Sequence, residues 1–177
     1  MATPEGTLSW EPADRHTDLL AAPVAAALAQ APGAQVAPID PTLADTAAFC
    51  EAYDSDPAHS ANCVVVVGKR GGEVRRAAVL VLATDRADIN GVVRRHLDVR
   101  KISFAPMDEA VELTGMEYGG ITPIGLPSDW PVLVDEGVVA AGRVVIGSGI
   151  RASKLLVAAA DLAALPTAET IALALPR

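Results

Sequence analysis

Aromatic side chains are scarce in this sequence, since Phe, Trp and Tyr together make up only 3% of its 177 residues. The core must therefore be built from aliphatic side chains, and a hydrophobic content of 51% supplies enough of them. That content also excludes global disorder. A chain of this length is typical of a single domain.

Cysteine, positive charge and long apolar runs are limited as well. Two cysteines, Cys50 and Cys63, do not make a disulfide framework and indicate a reducing cytoplasm. The net charge of −8 argues against a broad nucleic-acid surface, so an RNA partner would have to be held locally or with help from another protein. No apolar run approaches the roughly 20 residues that cross a bilayer, and the N-terminus lacks the regions of a signal peptide. We therefore expect no membrane partner.

Apolar spacing and turn residues predict a mixed α/β fold with two parts. Residues 1–39 are predicted as a helical extension that packs on the domain, with a strand over 34–39. Its helix over 14–30 is predicted to be kinked at Pro23 or divided there into two shorter helices. Residues 40–177 are predicted as the main domain.

The main domain is predicted to contain a β-hairpin. The β-branched run over 63–67 is typical of a strand buried on both faces, and residues 76–83 return beside it after a glycine-rich turn. Asp88 is a good N-cap for a helix over 89–97. The other predicted elements are helices over 43–53 and 108–114 and strands near 101–104, 132–134 and 143–146.

Conventional catalytic groups are few. The turn over 68–72 lacks the phosphate-loop pattern and leads into a strand, which indicates a hairpin turn. His59, Cys50 and Cys63 lack a fourth ligand for zinc, so we expect no metal and no cofactor. A Cys–His nucleophilic pair stays open as a minor alternative, because the sequence alone cannot bring such groups together.

Two glycine-rich loops are the most promising candidates for a ligand site. They span residues 119–125 and 147–149, and Arg151 follows the second loop. Glycines let backbone N–H groups approach a ligand closely and bind an anion. The two loops together with Arg151 favour a binding site.

These loops resemble those of the YbaK/prolyl-tRNA synthetase-associated editing domains, over roughly residues 40–166. The run Gly119-Gly120-Ile121-Thr122-Pro123-Ile124-Gly125 looks like the family's G-x-x-x-P loop. Pro131–Asp135 follows at the expected distance, and Val144–Arg151 is similar to the second glycine-rich loop with its Arg. The hairpin, helix and strand before them keep the family's order.

The resemblance implies a mixed, barrel-like β-sheet surrounded by helices, and a trans-acting deacylase that hydrolyses the ester of a mischarged tRNA, such as tRNA(Pro). Its partner would be the tRNA acceptor end, with an aminoacyl-tRNA synthetase as a second candidate. Composition alone predicts a helix over 153–165, whereas the resemblance implies a short strand and then a helix near Asp161. We follow the resemblance there.

The resemblance also implies residue roles. The backbone of the first loop would hold the aminoacyl carbonyl and stabilise the charge that develops on its oxygen. Ser148, Gly149 and Arg151 would hold the terminal ribose or phosphate. The catalytic candidates are thus Asn62, Gly119 and Gly120, and the substrate-binding candidates are Ile121, Thr122, Pro123, Asp135, Ser148, Gly149 and Arg151.

One position departs from the family pattern. Asn62 stands where family members carry a Lys at the start of the first hairpin strand. Lys69 lies seven residues further on, about 23 Å away along a strand, and cannot reach the same place. Asn keeps hydrogen bonding but lacks the charge. The alternative hypothesis is therefore a weak or inactive binding module for an aminoacyl-adenosine-like ligand or a protein partner.

Overall fold

The computed structural model describes residues 2–177, in which short helices connect three β-sheets. The strands are β1 (Glu11–Pro12), β2 (Gln35–Pro38), β3 (Ala61–Arg70), β4 (Glu73–Leu82), β5 (Asp85–Ala87), β6 (Lys101–Phe104), β7 (Val132–Asp135), β8 (Arg143–Gly147), β9 (Ser153–Ala158), β10 (Ala168–Ile171) and β11 (Ala174–Pro176). The α-helices are α1 (Ala22–Ala26), α2 (Thr46–Tyr53), α3 (Arg94–His96), α4 (Met107–Thr114), α5 (Glu136–Ala140) and α6 (Ala159–Ala163).

The larger sheet has the strand order β10-β7-β4-β3-β6 and mixes parallel with antiparallel pairs. The predicted hairpin is confirmed as β3 and β4, which pair in antiparallel register from Ala61↔Leu82 to Arg70↔Glu73. It is longer than predicted because pairing continues to the two-residue turn at Gly71 and Gly72. Strand β7 runs parallel to β4 on the other side.

Both faces of the second half of β4, residues 77–82, are buried, as expected for a wholly apolar run. Ala78, Leu80 and Leu82 enter the main core, which lies between the larger sheet and the smaller one. Their neighbours Val79 and Val81 enter a second core, beneath the helical segment that follows β5. The alternation of side chains along a strand thus divides one apolar run between two cores.

The smaller sheet has the order β1-β2-β9-β8, and β11 pairs with β5 in a separate two-stranded sheet. The mixed α/β fold is confirmed, but the expectation of a barrel-like sheet is wrong. The larger sheet ends at β6 and β10, and an isolated bridge between Ser60 and Val145 links the two main sheets without closing them.

The helix predicted over 14–30 is replaced by α1 and three single 3₁₀ turns, Ala13–Arg15, Thr17–Leu19 and Leu28–Gln30. Pro23 lies in the first turn of α1 and has no N–H to continue a helix from the preceding residues. Tertiary contacts also hold this segment, since Ala21 N donates to Ser148 O at 3.2 Å and Val24 is fully buried. The predicted strand over 34–39 is confirmed as β2.

Other elements follow the sequence closely. The Asp88 carboxylate accepts from the backbone N–H groups of Gly91 and Val92, which confirms it as the N-cap of a π-helical turn that continues into α3. The segment after residue 152 is a strand and then a short helix, β9 and α6, as the family resemblance implied. Composition was misleading there because Leu155, Leu156 and Val157 are buried between β8 and β2. Within residues 2–177, no helix is both long and apolar enough to cross a membrane.

Candidate functional site

A cleft of about 300 Å³ opens beside the first half of β3. The start of α2, the end of β6, the first glycine-rich loop and strand β9 surround it. Among the predicted site residues, Asn62, Gly119 and Ile121 line this cleft. The other lining residues are Ala44, Asp45, Thr46, Ala61, Cys63, Val64, Val65, Phe104, Ala105, Ala110, Tyr118, Gly147 and Lys154.

Asn62 lies near the start of β3, where its side chain meets the first residue of α2. The Thr46 hydroxyl donates to Asn62 Oδ1 at 2.5 Å. This contact fixes the amide so that its oxygen is used within the protein. Its nitrogen, Nδ2, has no acceptor among the residues that the structure describes, and can therefore donate to a ligand.

Lys154 is the cation of the cleft, and the sequence reasoning missed it. It lies on β9, where it is only 7% exposed. Its Nζ donates to the Ala44 carbonyl oxygen at 2.8 Å and lies 5.3 Å from the centre of the Phe49 ring. Ala44 takes one of the three N–H donors of the ammonium group, and no further hydrogen-bond acceptor for it is present in residues 2–177.

The electrostatic state of Lys154 follows from its burial. Desolvation lowers the pKa of Lys154 to about 8, because removal from water disfavours the charged form. The nearby Arg151 lowers this pKa further, whereas Asp45 opposes the shift. At neutral pH the side chain is still mainly an ammonium ion.

The thiols near the cleft are poor nucleophiles. Burial raises the pKa of Cys63 to about 12 and also raises the pKa of Cys50. The reactive form of cysteine is the thiolate, so both groups are inert near neutral pH. His59 Nδ1 lies 2.9 Å from the carbonyl oxygen of Arg143, which is not part of the cleft lining. This geometry does not support the Cys–His alternative.

The two catalytic glycine candidates have different roles. Gly119 lines the cleft with φ +89°, and an added Cβ would lie 2.0 Å from Arg151 Nη1. Gly120 is buried, its N–H donates to Glu117 O at 2.9 Å, and an added Cβ would lie 2.7 Å from the Ile150 carbonyl. Gly120 therefore serves the contact between the two loops, and its N–H is not free for a ligand.

Two other backbone donors of the first loop remain available. The N–H groups of Gly119 and Ile121 have no acceptor among the residues that the structure describes, and both residues line the cleft. Such donors can stabilise an oxygen on which negative charge develops. The predicted role of the first loop stays a prediction, and Gly119 and Ile121 are its available donors.

Most of the predicted substrate-binding residues make contacts within the fold. The Ser148 hydroxyl donates to the carbonyl oxygens of Ile150 and Ser153, each at 3.1 Å. The Asp135 carboxylate accepts from the backbone N–H groups of Gly137, Leu173 and Ala174. Thr122, Pro123 and Gly149 are buried outside the cleft lining. Their predicted contacts with a substrate stay predictions.

Arg151 lies at the rim of the cleft and joins three segments of chain. Its Nε donates to Pro41 O and its Nη1 to Tyr118 O, both at 3.2 Å, and Nη1 is 3.7 Å from Asp45 Oδ1. Its backbone N–H donates to the Glu117 carboxylate at 2.7 Å. The guanidinium therefore holds the first loop against the segment that leads into α2.

Exposed aromatic rings flank the cleft. Phe104 at the end of β6 is 63% exposed and Tyr118 before the first loop is 50% exposed, although the whole chain has only six aromatic residues. Exposed rings next to a cleft are suited to stacking on a planar ligand group. The cleft thus combines one ammonium ion, one amide, two backbone donors and two rings.

The fold is mixed α/β, and its cleft lies beside a glycine-rich loop. The sequence profile of the aminoacyl-tRNA editing domain family matches residues 40–165. The chain therefore belongs to this family, which confirms the resemblance seen in its sequence.

The chain is also similar to proteins of known sequence or structure. A proline–tRNA ligase of Lactobacillus gasseri is 42% identical over 73 residues, which is 40% of this chain and 13% of the ligase. The chain thus matches only about an eighth of that ligase's length. The crystal structure of a proposed trans-editing enzyme for prolyl-tRNA synthetase matches with a TM-score of 0.73 and 23% identity, over 93% of this chain and 98% of the other. A scaffold protein from an epitope-grafting design matches with a TM-score of 0.73 and 22% identity, over 86% of this chain and 96% of the other.

Proposed function

We propose that this protein is a trans-acting aminoacyl-tRNA deacylase, which hydrolyses the ester between a wrong amino acid and its tRNA. The observation that carries the proposal is the cleft of about 300 Å³ with Lys154, the Asn62 amide and the free N–H groups of Gly119 and Ile121 on its walls. Membership of the editing family supports the reaction class. Such a protein would act in the cytoplasm, where charged tRNA is used.

The proposed reaction needs no protein nucleophile. A water molecule attacks the ester carbonyl carbon, the bond from that carbon to the ribose oxygen breaks, and the ribose oxygen takes up a proton. The products are the free amino acid and a tRNA with a free terminal hydroxyl. This route agrees with the inert thiols of Cys50 and Cys63.

The wall groups have separate roles in this proposal. The N–H groups of Gly119 and Ile121 and the Asn62 amide donate to the carbonyl oxygen as it becomes negative. The ammonium group of Lys154 supplies the positive charge that Asn62 lacks. Because Lys154 reaches the cleft from β9 and not from β3, we expect slower hydrolysis than the usual arrangement of the family would give.

The cleft lining favours a small amino acid. Four alanines line it, Ala44, Ala61, Ala105 and Ala110, and no large aliphatic side chain of the described residues crosses it from α4. Similarity to proline–tRNA ligases supports tRNA(Pro) as the carrier and a synthetase as a further partner. Alanyl- and cysteinyl-tRNA(Pro) are therefore the first substrates to test.

The experiment is a single-turnover deacylation assay over a panel of mischarged tRNAs. We expect measurable release of Ala or Cys from tRNA(Pro), and little release of larger amino acids. The double variant Asn62→Ala/Lys154→Met should lose this activity, while Arg15→Gln, a change at an exposed position outside the cleft lining, should retain it. Equal rates for the wild type and the double variant on every tRNA would contradict the proposal.

A second candidate is a binding module with little or no catalysis. The absence of the expected Lys at Asn62 favours it, as does the contact of Lys154 with Ala44 O, which occupies one donor of the only buried ammonium group in the described cleft. Tight binding of a non-hydrolysable aminoacyl-adenosine without deacylation of any tRNA would identify this alternative.

A further inference from the structure

A second concave surface lies at the far end of β6 from the cleft. This basic groove, of about 590 Å³, is lined by four basic side chains, those of Lys69, Arg94, Arg100 and Lys101. Its other lining residues are Val67, Asn90, Ile102 and Ser103, so the described part of the chain contributes no carboxylate to it. The net charge of the chain is −8, so its overall composition does not explain this cluster of four positive charges.

Two lysines of the groove face each other directly. Lys69 on β3 and Lys101 on β6 are register partners, and both are exposed. Like charges at directly opposite positions destabilise a sheet. Neither lysine has an ion pair within residues 2–177, whereas the neighbouring Arg70 lies 2.6 Å from Asp98. The arrangement lowers the stability of the free protein, and an anionic ligand between the two lysines would remove that cost.

The basic groove is continuous with the cleft. A third depression, of about 600 Å³, shares Asn90, Ile102 and Ser103 with the groove. It also shares Asn62, Val64 and Phe104 with the cleft. Lys101 and Phe104 are three residues apart on β6, roughly 10 Å at the usual rise of a strand, and their side chains point to opposite faces of this edge strand. A ligand that fills the cleft and passes around the β6 edge would therefore reach the basic groove.

We propose that the basic groove binds the phosphate backbone of the RNA whose aminoacyl end lies in the cleft. This inference rests on the proposed deacylase function, because that function supplies a chain of phosphates attached to the group in the cleft. Lysine and arginine bind phosphates through charge and released counterions, without reading sequence. The groove thus supplies a local, positively charged contact surface for RNA on a chain that is acidic overall.

RNA is favoured over an acidic peptide by the continuity of the surface. A peptide that covered only the groove would have no reason to reach the cleft, whereas the acceptor end is one covalent strand with its ester at the tip. Phe104, exposed where the depression meets the cleft, provides a ring on which a base of that strand can stack.

The test compares two substrates that share the ester but differ in phosphates. Alanyl-tRNA(Pro) carries the full backbone, and 3′-O-alanyl-adenosine carries no phosphate. The variant is Lys69→Gln/Lys101→Gln, and the single variants Lys101→Gln and Arg15→Gln form a matched pair that removes the same charge inside and outside the groove. Rates are measured between about 50 and 200 mM KCl, the range in which phosphate contacts weaken strongly.

We expect the double variant to lose about tenfold in kcat/KM for alanyl-tRNA, with a salt dependence flatter by about one per lysine removed. Its kcat/KM for alanyl-adenosine should be unchanged, and its melting temperature should rise because the facing charges are gone. The Arg15→Gln variant should match the wild type. An unchanged kcat/KM for alanyl-tRNA, or an equal loss on both substrates, would overturn the proposal.

A direct binding measurement separates this proposal from the deacylase function. If the wild type hydrolyses neither ester, the proposed function fails, and fluorescence anisotropy with a labelled, uncharged acceptor-arm RNA then decides the role of the groove. Salt-dependent binding that weakens in Lys101→Gln but not in Arg15→Gln would support it. An absence of RNA binding, or a preference for a polyglutamate peptide at equal charge, would overturn it.

Discussion

Lys154 Nζ donates a hydrogen bond of 2.8 Å to the carbonyl oxygen of Ala44, and this contact joins strand β9 to the segment that leads into α2. It brings a positive charge to the cleft from the smaller sheet. The expected source of positive charge, the start of β3, carries the neutral Asn62. The ammonium group of the cleft thus comes from β9 and not from β3.

Removal of the Lys154 charge should slow deacylation. Lys154→Met keeps a long unbranched side chain but removes the ammonium group, and the loss of one preorganised charged donor costs on the order of 10²–10³ in rate. Single-turnover hydrolysis of alanyl-tRNA(Pro) measures the effect. The wild-type rate should also fall above pH 8, as the ammonium group loses its proton. A Lys154→Met variant with the wild-type rate would show that the charge has no catalytic role.

The same residue should make stability depend on pH. The pKa of Lys154 is about 8 in the folded protein and 10.5 in its ordinary state, so between these values the unfolded chain holds a proton that the folded chain lacks. The free energy of unfolding of the wild type, relative to Lys154→Met, should therefore rise by about 1 kcal/mol between pH 7 and 9. Urea unfolding of both proteins at each pH measures this difference.

The comparison with Lys154→Met is needed because another group titrates in the opposite sense. The pKa of Cys63 is raised to about 12, so this thiol keeps its proton in the folded protein while the unfolded chain loses it above pH 9. Both proteins contain both thiols. The contribution of Cys63 cancels in the difference, and that of Cys50, whose pKa is also raised, cancels except for its interaction with Lys154. A difference that stays constant from pH 7 to 9 would contradict the lowered pKa of Lys154.

Sequence patterns predicted the parts of the fold that local chemistry decides. The hairpin of β3 and β4 follows from its β-branched run, and the Asp88 cap follows from its side-chain oxygen. The helix over 14–30 was wrong because Pro23 and contacts such as Ala21 N to Ser148 O override helical propensity. These contacts link residues far apart in the chain, and no local pattern contains them.

The candidate site likewise contains residues that the sequence predicted and one that it did not. Asn62, Gly119 and Ile121 were predicted from the family's motif spacing, and all three line the cleft. Lys154 was missed because the short strand that the resemblance implied there gave no indication that this side chain lies beside the cleft. Only the pairing of β9 between β2 and β8 buries this residue beside the cleft.

Gly120 should contribute to the stability of the fold and not to catalysis. A methyl group there would lie 2.7 Å from the Ile150 backbone, which cannot move cheaply. Gly120→Ala should lower the free energy of unfolding by about 1–3 kcal/mol, as overpacking does. Gly72→Ala is the matched control, because its Cβ would meet nothing within 4 Å. Equal stability of Gly120→Ala and the wild type in urea would rule out the close approach of the loops.

Arg151 should connect the rim of the cleft to the ligand. Its guanidinium holds Pro41 O and Tyr118 O, so Arg151→Ala releases the first loop and removes a charged donor. We expect binding of a non-hydrolysable alanyl-adenosine to weaken by about 1.5–3 kcal/mol, the range for a hydrogen bond to a charged group. Isothermal titration calorimetry measures this binding free energy. Arg151→Lys should recover only part of the lost affinity, because lysine lacks the planar, forked guanidinium group. A loss of binding free energy below a few tenths of a kcal/mol would show that Arg151 is only a surface residue with no contact to the ligand.

Asn62→Lys tests how the neutral amide limits the reaction. The new ammonium group would lie in the same cleft as Lys154 and would add the charge that the family resemblance implies at this position. We expect slow hydrolysis of alanyl- and cysteinyl-tRNA(Pro) by the wild type. The rate should rise by about tenfold or more in the variant, which is within the rate effect of one preorganised donor. Two like charges in one cleft also disfavour each other, so the pKa of Lys154 should fall further.

The control for this prediction is Asn62→Gln, which keeps an amide, adds length and brings no charge. Its rate should stay at or below the wild-type rate, because a longer neutral side chain loses the contact with the Thr46 hydroxyl without adding charge. Single-turnover deacylation of the three proteins on the same tRNAs measures the series. Fast hydrolysis by the wild type would show that a lysine at residue 62 is not needed. No hydrolysis by any of the three would favour the binding module, because a cleft that stays inactive after its missing charge is restored has lost more than one group.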